Sequence, residues 1–300
     1  PRKARGKRYP WVFLLALIGA ALASGQQTAH AIAHWVILHG PELHQRLGPP
    51  RSSMPSESTI RRVLRSVDIP VLEQRLAGLA QYLAATGPKQ GTITTAAGEV
   101  LQGQALDGKE LRGVRAHGRS LHLLSLVEHG MGRILSQMPV DTKTNEITAA
   151  PELLDGRDLG GTVTTMDALL TQRPFAQQIL DQNGHYLMVV KRNQGNLYED
   201  IALLFDEPPW LPREKEAECQ THQSVEKGHG RLEKRTLESC STLSDYLDWP
   251  GVGQVMRRRY ERIDAKAGEV STATTYGITS LPYAKAVSYT HLRAHETKAN

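Results

Sequence analysis

Leu101-Gln-Gly-Gln-Ala-Leu-Asp-Gly-Lys109 and Thr162-Val-Thr-Thr-Met-Asp-Ala168 decide how the larger part of the chain folds. Each is an apolar or β-branched run of strand type that stops at an aspartate, Asp107 in the first and Asp167 in the second. Around them strand and helix periods alternate. Strand-type segments at 101–106, 121–127 and 134–140 come first, the last two joined by His129-Gly-Met-Gly132, a hairpin-grade turn. A helix over about 144–154 leads to the strand 162–166. A helix over 171–183 leads to the strand 185–190, and another helix follows over 196–205. The order is β-β-β-α-β-α-β-α.

That order is the one found in the ribonuclease-H-like fold, an α/β architecture with a mixed sheet and helices on both faces. In such a sheet the first and fourth strands lie side by side, so Asp107 and Asp167 are expected to meet at one sheet edge. Two close carboxylates repel each other unless a cation sits between them. Hard oxygen ligands of this kind suit Mg²⁺ or Mn²⁺. Two such ions about 4 Å apart activate one oxygen and stabilise the departing one in phosphoryl transfer. Taken singly, each aspartate reads equally well as a strand-end or helix-capping residue. The pair in this strand order is what points to catalysis.

Residues 1–90 read as a small all-α domain, with Thr86-Gly-Pro-Lys-Gln-Gly91 as a linker to a second domain over 99–286. Ser56 is a plausible N-cap, with Ser58 and Thr59 as alternatives, for a helix in which Ile60, Val63 and Leu64 share a face. Arg61, Arg62 and Arg65 point elsewhere, an arrangement that suits DNA phosphates and also describes an ordinary solvated face. Val71–Leu83 supplies another helix. Arg2, Lys3, Arg5, Lys7 and Arg8 precede an apolar run from Trp11 to Ala23, the layout of a secretory signal peptide. The rival reading is a buried core helix continuing through Trp35 to Leu38, and the run is too short to span a bilayer. No other apolar run approaches membrane length.

With 300 residues, 40% hydrophobic and 22% charged, the chain has ordinary globular composition, not that of a collagen or a disordered linker. The net charge of +5 hides a split. Residues 1–98 carry 12 Lys and Arg against 4 Asp and Glu, a net of +8, and the remainder carries 24 against 27, a net of −3. A basic front on a mildly acidic body suggests that the front meets a polyanion. Cys219 and Cys240 are too few for a disulfide scaffold and lack metal-ligand spacing, so they read as ordinary thiols in a reducing compartment. Arg257-Arg-Arg259 is a basic cluster that cannot face one way on either a strand or a helix. The twelve histidines do not cluster, and there is no P-loop, so no nucleotide cofactor is indicated.

Six ordered blocks carry a family resemblance. They are Asp107-Gly-Lys-Glu-Leu-Arg-Gly113; Lys143-Thr-Asn-Glu-Ile147; Pro151-Glu-Leu-Leu154; Thr165-Met-Asp-Ala168 with Gln172; Lys191-Arg-Asn-Gln194 with Leu197-Tyr-Glu-Asp200; and Gly228-His-Gly-Arg-Leu-Glu233 with Arg235. Together they resemble the H-repeat-associated insertion-sequence transposases of the DDE superfamily. Tyr9-Pro10 and Ser56-Glu-Ser-Thr-Ile-Arg-Arg62 resemble the helical domain associated with that family, and the likeness runs from about Tyr9 to Tyr283.

The resemblance implies a Mg²⁺- or Mn²⁺-dependent enzyme of the bacterial cytoplasm and nucleoid. Its partner would be double-stranded DNA, at element ends and target, with a homodimer to hold both ends and no membrane. Water would cut the strand and the freed 3′-hydroxyl would attack the target, with no covalent protein–DNA intermediate. Asp107 and Asp167 match the first two catalytic acids. A third acid is expected in a His-Trp-x-Ile-Glu-Asn block, which this sequence lacks.

Glu233 is the weak in-chain substitute, and Glu146 reads as a helix-start residue near the site. Lys109, Lys191, Asn193, His229 and Arg231 join the three arginines as candidate DNA contacts, against the plain reading of solvated strand ends. Residues 287–300 resemble translated sequencing adapter, so the chain is expected to be C-terminally truncated and its tail, Glu296 included, non-native. Two other functions stay open: a non-catalytic DNA-binding remnant of a transposase, and a secreted protein led by the signal peptide.

Overall fold

The computed structural model describes residues 9–48, 53–86, 91–95, 98–116, 119–140, 146–206, 219–228, 231–264 and 270–282. The 287–300 tail, His229 and the basic residues at 2–8 lie outside the described residues, as does the side chain of Arg231. The chain forms two compact units, Pro1–Leu76 and Ala77–Asn300.

The first unit is helical: α1 (Trp11–Ala23), α2 (Ala29–Leu38), α3 (Gly40–Leu47), α4 (Glu57–Ser66) and the start of α5 (Ile69–Thr86). The apolar run is the core helix of the rival reading, because α1 buries Phe13, Leu14, Leu17, Ile18 and Ala21 against Ile32 and Val36 of α2 and Ile60 and Val63 of α4. It does not continue into α2. Gly25, at φ 85°, turns the chain at Ser24-Gly25, and the Thr28 hydroxyl caps the new helix by accepting from the Ala31 N–H at 3.1 Å. On α4, Ile60 and Val63 are buried as expected, but Leu64 is 40% exposed. None of the helices among the described residues is long and apolar enough to cross a membrane.

The second unit is a mixed sheet of β1 (Thr92–Thr94), β2 (Val100–Ala116), β3 (Arg119–Glu128), β4 (Ile134–Val140), β5 (Thr162–Met166), β6 (His185–Val190), β7 (Cys219–Gly228), β8 (Arg231–Cys240), β9 (Gln254–Asp264) and β10 (Val270–Thr279). Its order is β4-β3-β2-β5-β6-β10-β9-β8-β7, with β1 on β2. β2, β5 and β6 are parallel, and the other pairs are antiparallel. The helices are α6 (Glu146–Leu154), α7 (Arg173–Asp181) and α8 (Gly195–Asp206).

Strand alternation divides the sheet into two faces. Leu106, Met166, Met188 and Ile278 point to one side, where Leu154 of α6, Ile179 of α7 and Ile201 of α8 close the main core. Leu101, Val163, Leu187 and Met256 point to the other, a smaller cluster completed by Ile93, Leu237 and Leu281. Helices were expected on both faces. Among the described residues all three lie on the first, because each crossover between parallel strands returns over the same side.

β2 does not end at Asp107. It runs 17 residues to Ala116, since beyond Leu106 it keeps pairing with β3, from Asp107↔Ser125 to Ala116↔Arg119. Cys219 and Cys240 are not ordinary thiols: they face each other across β7 and β8 and form a disulfide. The sequence separation of 21 hides a partnership that only the hairpin register creates.

Candidate active site

The parallel ladder between β2 and β5 runs from Gln102↔Thr162 to Leu106↔Met166. The next residues are Asp107 on β2 and Asp167 just past the end of β5, so the two aspartates directly follow the last paired positions of neighbouring strands. Leu106 and Met166, each 1% exposed, face the helices, so alternation turns Asp107 to the opposite face, where it is exposed. Burial of the preceding residues is what fixes where these carboxylates emerge.

Asp167 is held by its own turn. One carboxylate oxygen accepts from the N–H of Leu169 at 3.0 Å and of Leu170 at 3.1 Å. These are the bonds of a turn and not of a helix cap, since α7 begins at Arg173 with Gln172 as its N-cap, and they leave the second oxygen of the same group out. The buried Thr171 hydroxyl lies 3.0 Å from the Asp167 carbonyl and 2.6 Å from the Val189 carbonyl, joining the ends of β5 and β6. Asn193 donates to the Ala168 carbonyl at 2.8 Å and Gln194 to the Thr171 carbonyl at 2.6 Å. Asn193, expected to reach DNA, thus spends an amide N–H on bracing the loop behind Asp167.

Glu146 is 5% exposed, and its carboxylate stands over Gly108. A Cβ on Gly108 would lie 2.3 Å from Oε1 and 2.7 Å from Oε2. The residue read as a helix start is a buried carboxylate wedged beside the strand that carries Asp107. Only the missing side chain at 108 could have signalled it.

Lys109 and Lys191 are exposed, on the Asp107 face of β2 and just past β6. Beside Asp167 opens a pocket of about 270 Å³ lined by Lys191, Arg258 of β9, Thr275 and Gly277 of β10 and Leu187 and Val189 of β6. Arg257, Arg258 and Arg259 do diverge, as a strand requires. Arg257 is buried among Glu238 (2.6 and 2.8 Å), Asp206 (2.6 Å) and the Phe205 carbonyl (2.8 Å). Arg258 faces the pocket and Arg259 is exposed.

Glu233 does not join the aspartates. It lies on β8, four strands from β5, about 19 Å across the sheet. Its carboxylate accepts from Arg235 at 2.9 Å. On α4, Arg61 is paired with Glu57, which His30 also contacts; those two partners hold the Glu57 carboxyl below its ordinary value. Arg62 and Arg65 are exposed.

Two carboxylates suit Mg²⁺, which commonly takes one or two carboxylates and completes its shell with water and substrate phosphate. Among the described residues no group of three or more His, Cys, Asp or Glu side chains is arranged to hold a metal ion.

The family described as Transposase DDE domain matches residues 99–261, and that described as DDE_Tnp_1-associated matches residues 1–80. The chain belongs to the DDE transposase family. This DDE family member is 33% identical over 260 residues to an uncharacterized protein encoded in the dhlA 3′ region of Xanthobacter autotrophicus, covering 84% of this chain and 82% of that one. It is 34% identical over 155 residues to the H repeat-associated YhhI of Escherichia coli K12, covering 49% and 40% of the two chains. Over 230 residues it is 29% identical to YncI of Escherichia coli O157:H7, covering 73% and 55%. Both YhhI and YncI carry the word transposase in their names, and this chain spans about half the length of each. The 99–261 match contains Asp107, Asp167, Lys191 and Arg258.

Proposed function

We propose that this protein cuts and rejoins DNA at the ends of an insertion sequence, with Asp107 and Asp167 as its metal-binding acids. The observation that carries the reading is their placement directly after Leu106↔Met166, the last pair of two adjacent parallel strands. The two side chains would hold Mg²⁺ or Mn²⁺ between them, which removes the repulsion that their proximity creates. Such an ion supplies polarisation of a phosphoryl oxygen and activation of water.

The protein's own part is positioning. The carboxylate bonds of Asp167 and the ties from Thr171, Asn193 and Gln194 fix one acid without relying on a ligand. Lys109 and Lys191, on either side of the pair, draw in a phosphodiester. The basic N-terminal unit, through Arg62 and Arg65 and with Arg61 on the same helix, adds contacts to duplex phosphates. A homodimer would let two such sites hold two element ends.

The test is nicking of a supercoiled plasmid by the full chain in Mn²⁺, compared with Asp107→Asn and Asp167→Asn. Each substitution should lower nicking at least about a hundredfold, the scale expected when an electrostatic stabiliser of the transition state is lost. Nicking at the parental rate by both variants would refute the assignment. DNA binding without any nicking by the parent chain would favour the non-catalytic remnant instead.

A further inference from the structure

The pocket beside Asp167 has a charge order that the two acids alone do not explain. The ladder between β6 and β10 ends at Val190↔Tyr276, which sets Lys191 level with Thr275. Thr275 in turn pairs with Arg258 on β9. Lys191, Thr275 and Arg258 therefore form one row across three adjacent strands. Met166↔Met188 sets Asp167 level with Val189, which pairs with Gly277, so Asp167 and Asp107 lie two residues, about 7 Å, short of that row, with the two cations beyond them.

All five side chains belong to the face away from the helices, by the alternation that puts Leu187 and Met256 in the smaller cluster. Between the cations lies the cavity of about 270 Å³, floored by Leu187, Val189 and Gly277. Gly277 keeps that space open. A Cβ on Gly277 would come within 3.1 Å of the Met188 carbonyl and 3.5 Å of the Met256 methyl, so a larger residue would fill the space.

Asp167 also lines this cavity, and with its carboxylate committed to the divalent ion the two cationic walls, the hydroxyl between them and the apolar floor match a phosphate with its attached sugar. It does not match a second cation, and it is too small for a duplex. We propose that this pocket seats a phosphodiester adjoining the scissile one, with Arg258 and Lys191 as its counter-charges, so that Arg258 sets the register of the strand relative to Asp107 and Asp167. The proposal rests on the cleavage reading above and adds to it a residue from a strand that contributes no acid. Arg258 suits the role because its planar fork can grip two phosphate oxygens at once.

The experiment uses the full chain with two probes: a supercoiled plasmid in Mn²⁺ for nicking, and a fluorescein-labelled 20-base-pair duplex, followed by anisotropy across a salt series. Arg258→Ala should lower nicking about ten- to a hundredfold, the worth of a hydrogen bond to a charged group. It should also reduce the slope of log affinity against log salt by about one, the signature of one lost phosphate contact. Arg258→Lys should keep the slope and recover only part of the nicking, which loss of packing alone would not produce. Circular dichroism checks that each variant is folded, and the Lys variant carries the test if the Ala variant is not.

An Arg258→Ala chain with unchanged slope and unchanged nicking overturns the proposal. So does an Arg258→Lys chain with parental nicking beside a misfolded Ala variant. If Asp107→Asn and Asp167→Asn also nick at the parental rate, the cleavage reading itself has failed. If they abolish nicking while Arg258→Ala does not and its slope is unchanged, only the phosphate seat has failed.

Discussion

Replacing Gly108 by alanine probes the contact that sets β2 against α6 next to the first acid. Gly108 is not in the left-handed region, so its backbone accepts a side chain and the whole penalty is steric. The new Cβ would stand 2.3 Å from Oε1 of Glu146, 2.5 Å from Cδ and 2.7 Å from Oε2. Ordinary contact begins near 3.4 Å, so the carboxylate must retreat by about 1 Å.

Glu146 is only 5% exposed and cannot swing freely into water. Overpacking of this kind costs about 1–3 kcal/mol. Displacing a buried charged group from its bonds adds about 1–3 kcal/mol. Relief of glycine's chain entropy in a strand returns about 0.5–1 kcal/mol. The net loss is about 1–5 kcal/mol. At about 2–4 °C per kcal/mol for a unit of this size, the melting temperature should fall by about 2–20 °C. Glu146→Ala removes the obstacle, so the double variant should melt above the sum of the two single losses by a coupling of about 1–3 kcal/mol. Thermal unfolding followed by circular dichroism measures all four chains. A Gly108→Ala protein melting within about 1 °C of its parent, or strictly additive losses in the double variant, would refute the contact.

Other outcomes follow from the same geometry. His129 is 7% exposed and burial lowers its pKa from 6.5 to about 4, so as pH falls the unfolded chain takes up its proton first. Stability should therefore drop between pH 6.5 and 4 by up to about 3 kcal/mol, and urea titrations should find that slope flattened in His129→Gln. Arg257→Ala leaves the partly buried Glu238 without its two bonds, while Asp206 is 57% exposed and rehydrates, so it should cost about 1–3 kcal/mol in denaturant unfolding. Arg259→Ala, which removes only an exposed partner 3.9 Å from Glu238, should cost less than about 1 kcal/mol. Thr171→Val should loosen the link between Asp167 and Val189, raising amide hydrogen exchange at 167–171 without altering exchange in β3 or β4.

The strands 134–140, 162–166 and 185–190 are legible to the residue, because each is a short apolar run closed by Gly, Asp or Lys. β2 is not, because Gly108, Lys109 and Glu110 read locally as a turn and only the ladder to β3 keeps them extended. The same limit hides β7 to β10. Gln254-Val-Met-Arg-Arg-Arg-Tyr-Glu-Arg-Ile-Asp264 is mostly polar, and its strand state depends on partners on both sides. In the site, Asp107 and Asp167 could be read from the order of elements, since parallel pairing of the first and fourth strands forces them together. Glu146 over Gly108, Arg258 beside Lys191 and the Cys219–Cys240 bond come from register across the sheet, which no local pattern encodes. Glu233 lies apart from the two aspartates for the same reason: its sequence neighbours fit the family blocks, yet its strand is four strands from β5 in the sheet.

The central claim is that Asp107 and Asp167 together hold a divalent cation. Titrating the full chain into Mn²⁺ and following the free-ion signal by electron paramagnetic resonance measures this without any DNA. The parent should remove free Mn²⁺ from solution, and Asp107→Asn and Asp167→Asn should each bind at least about tenfold more weakly, given that even supporting groups around a metal are worth that much. Titration curves for both variants that superimpose on the parent's would contradict the account.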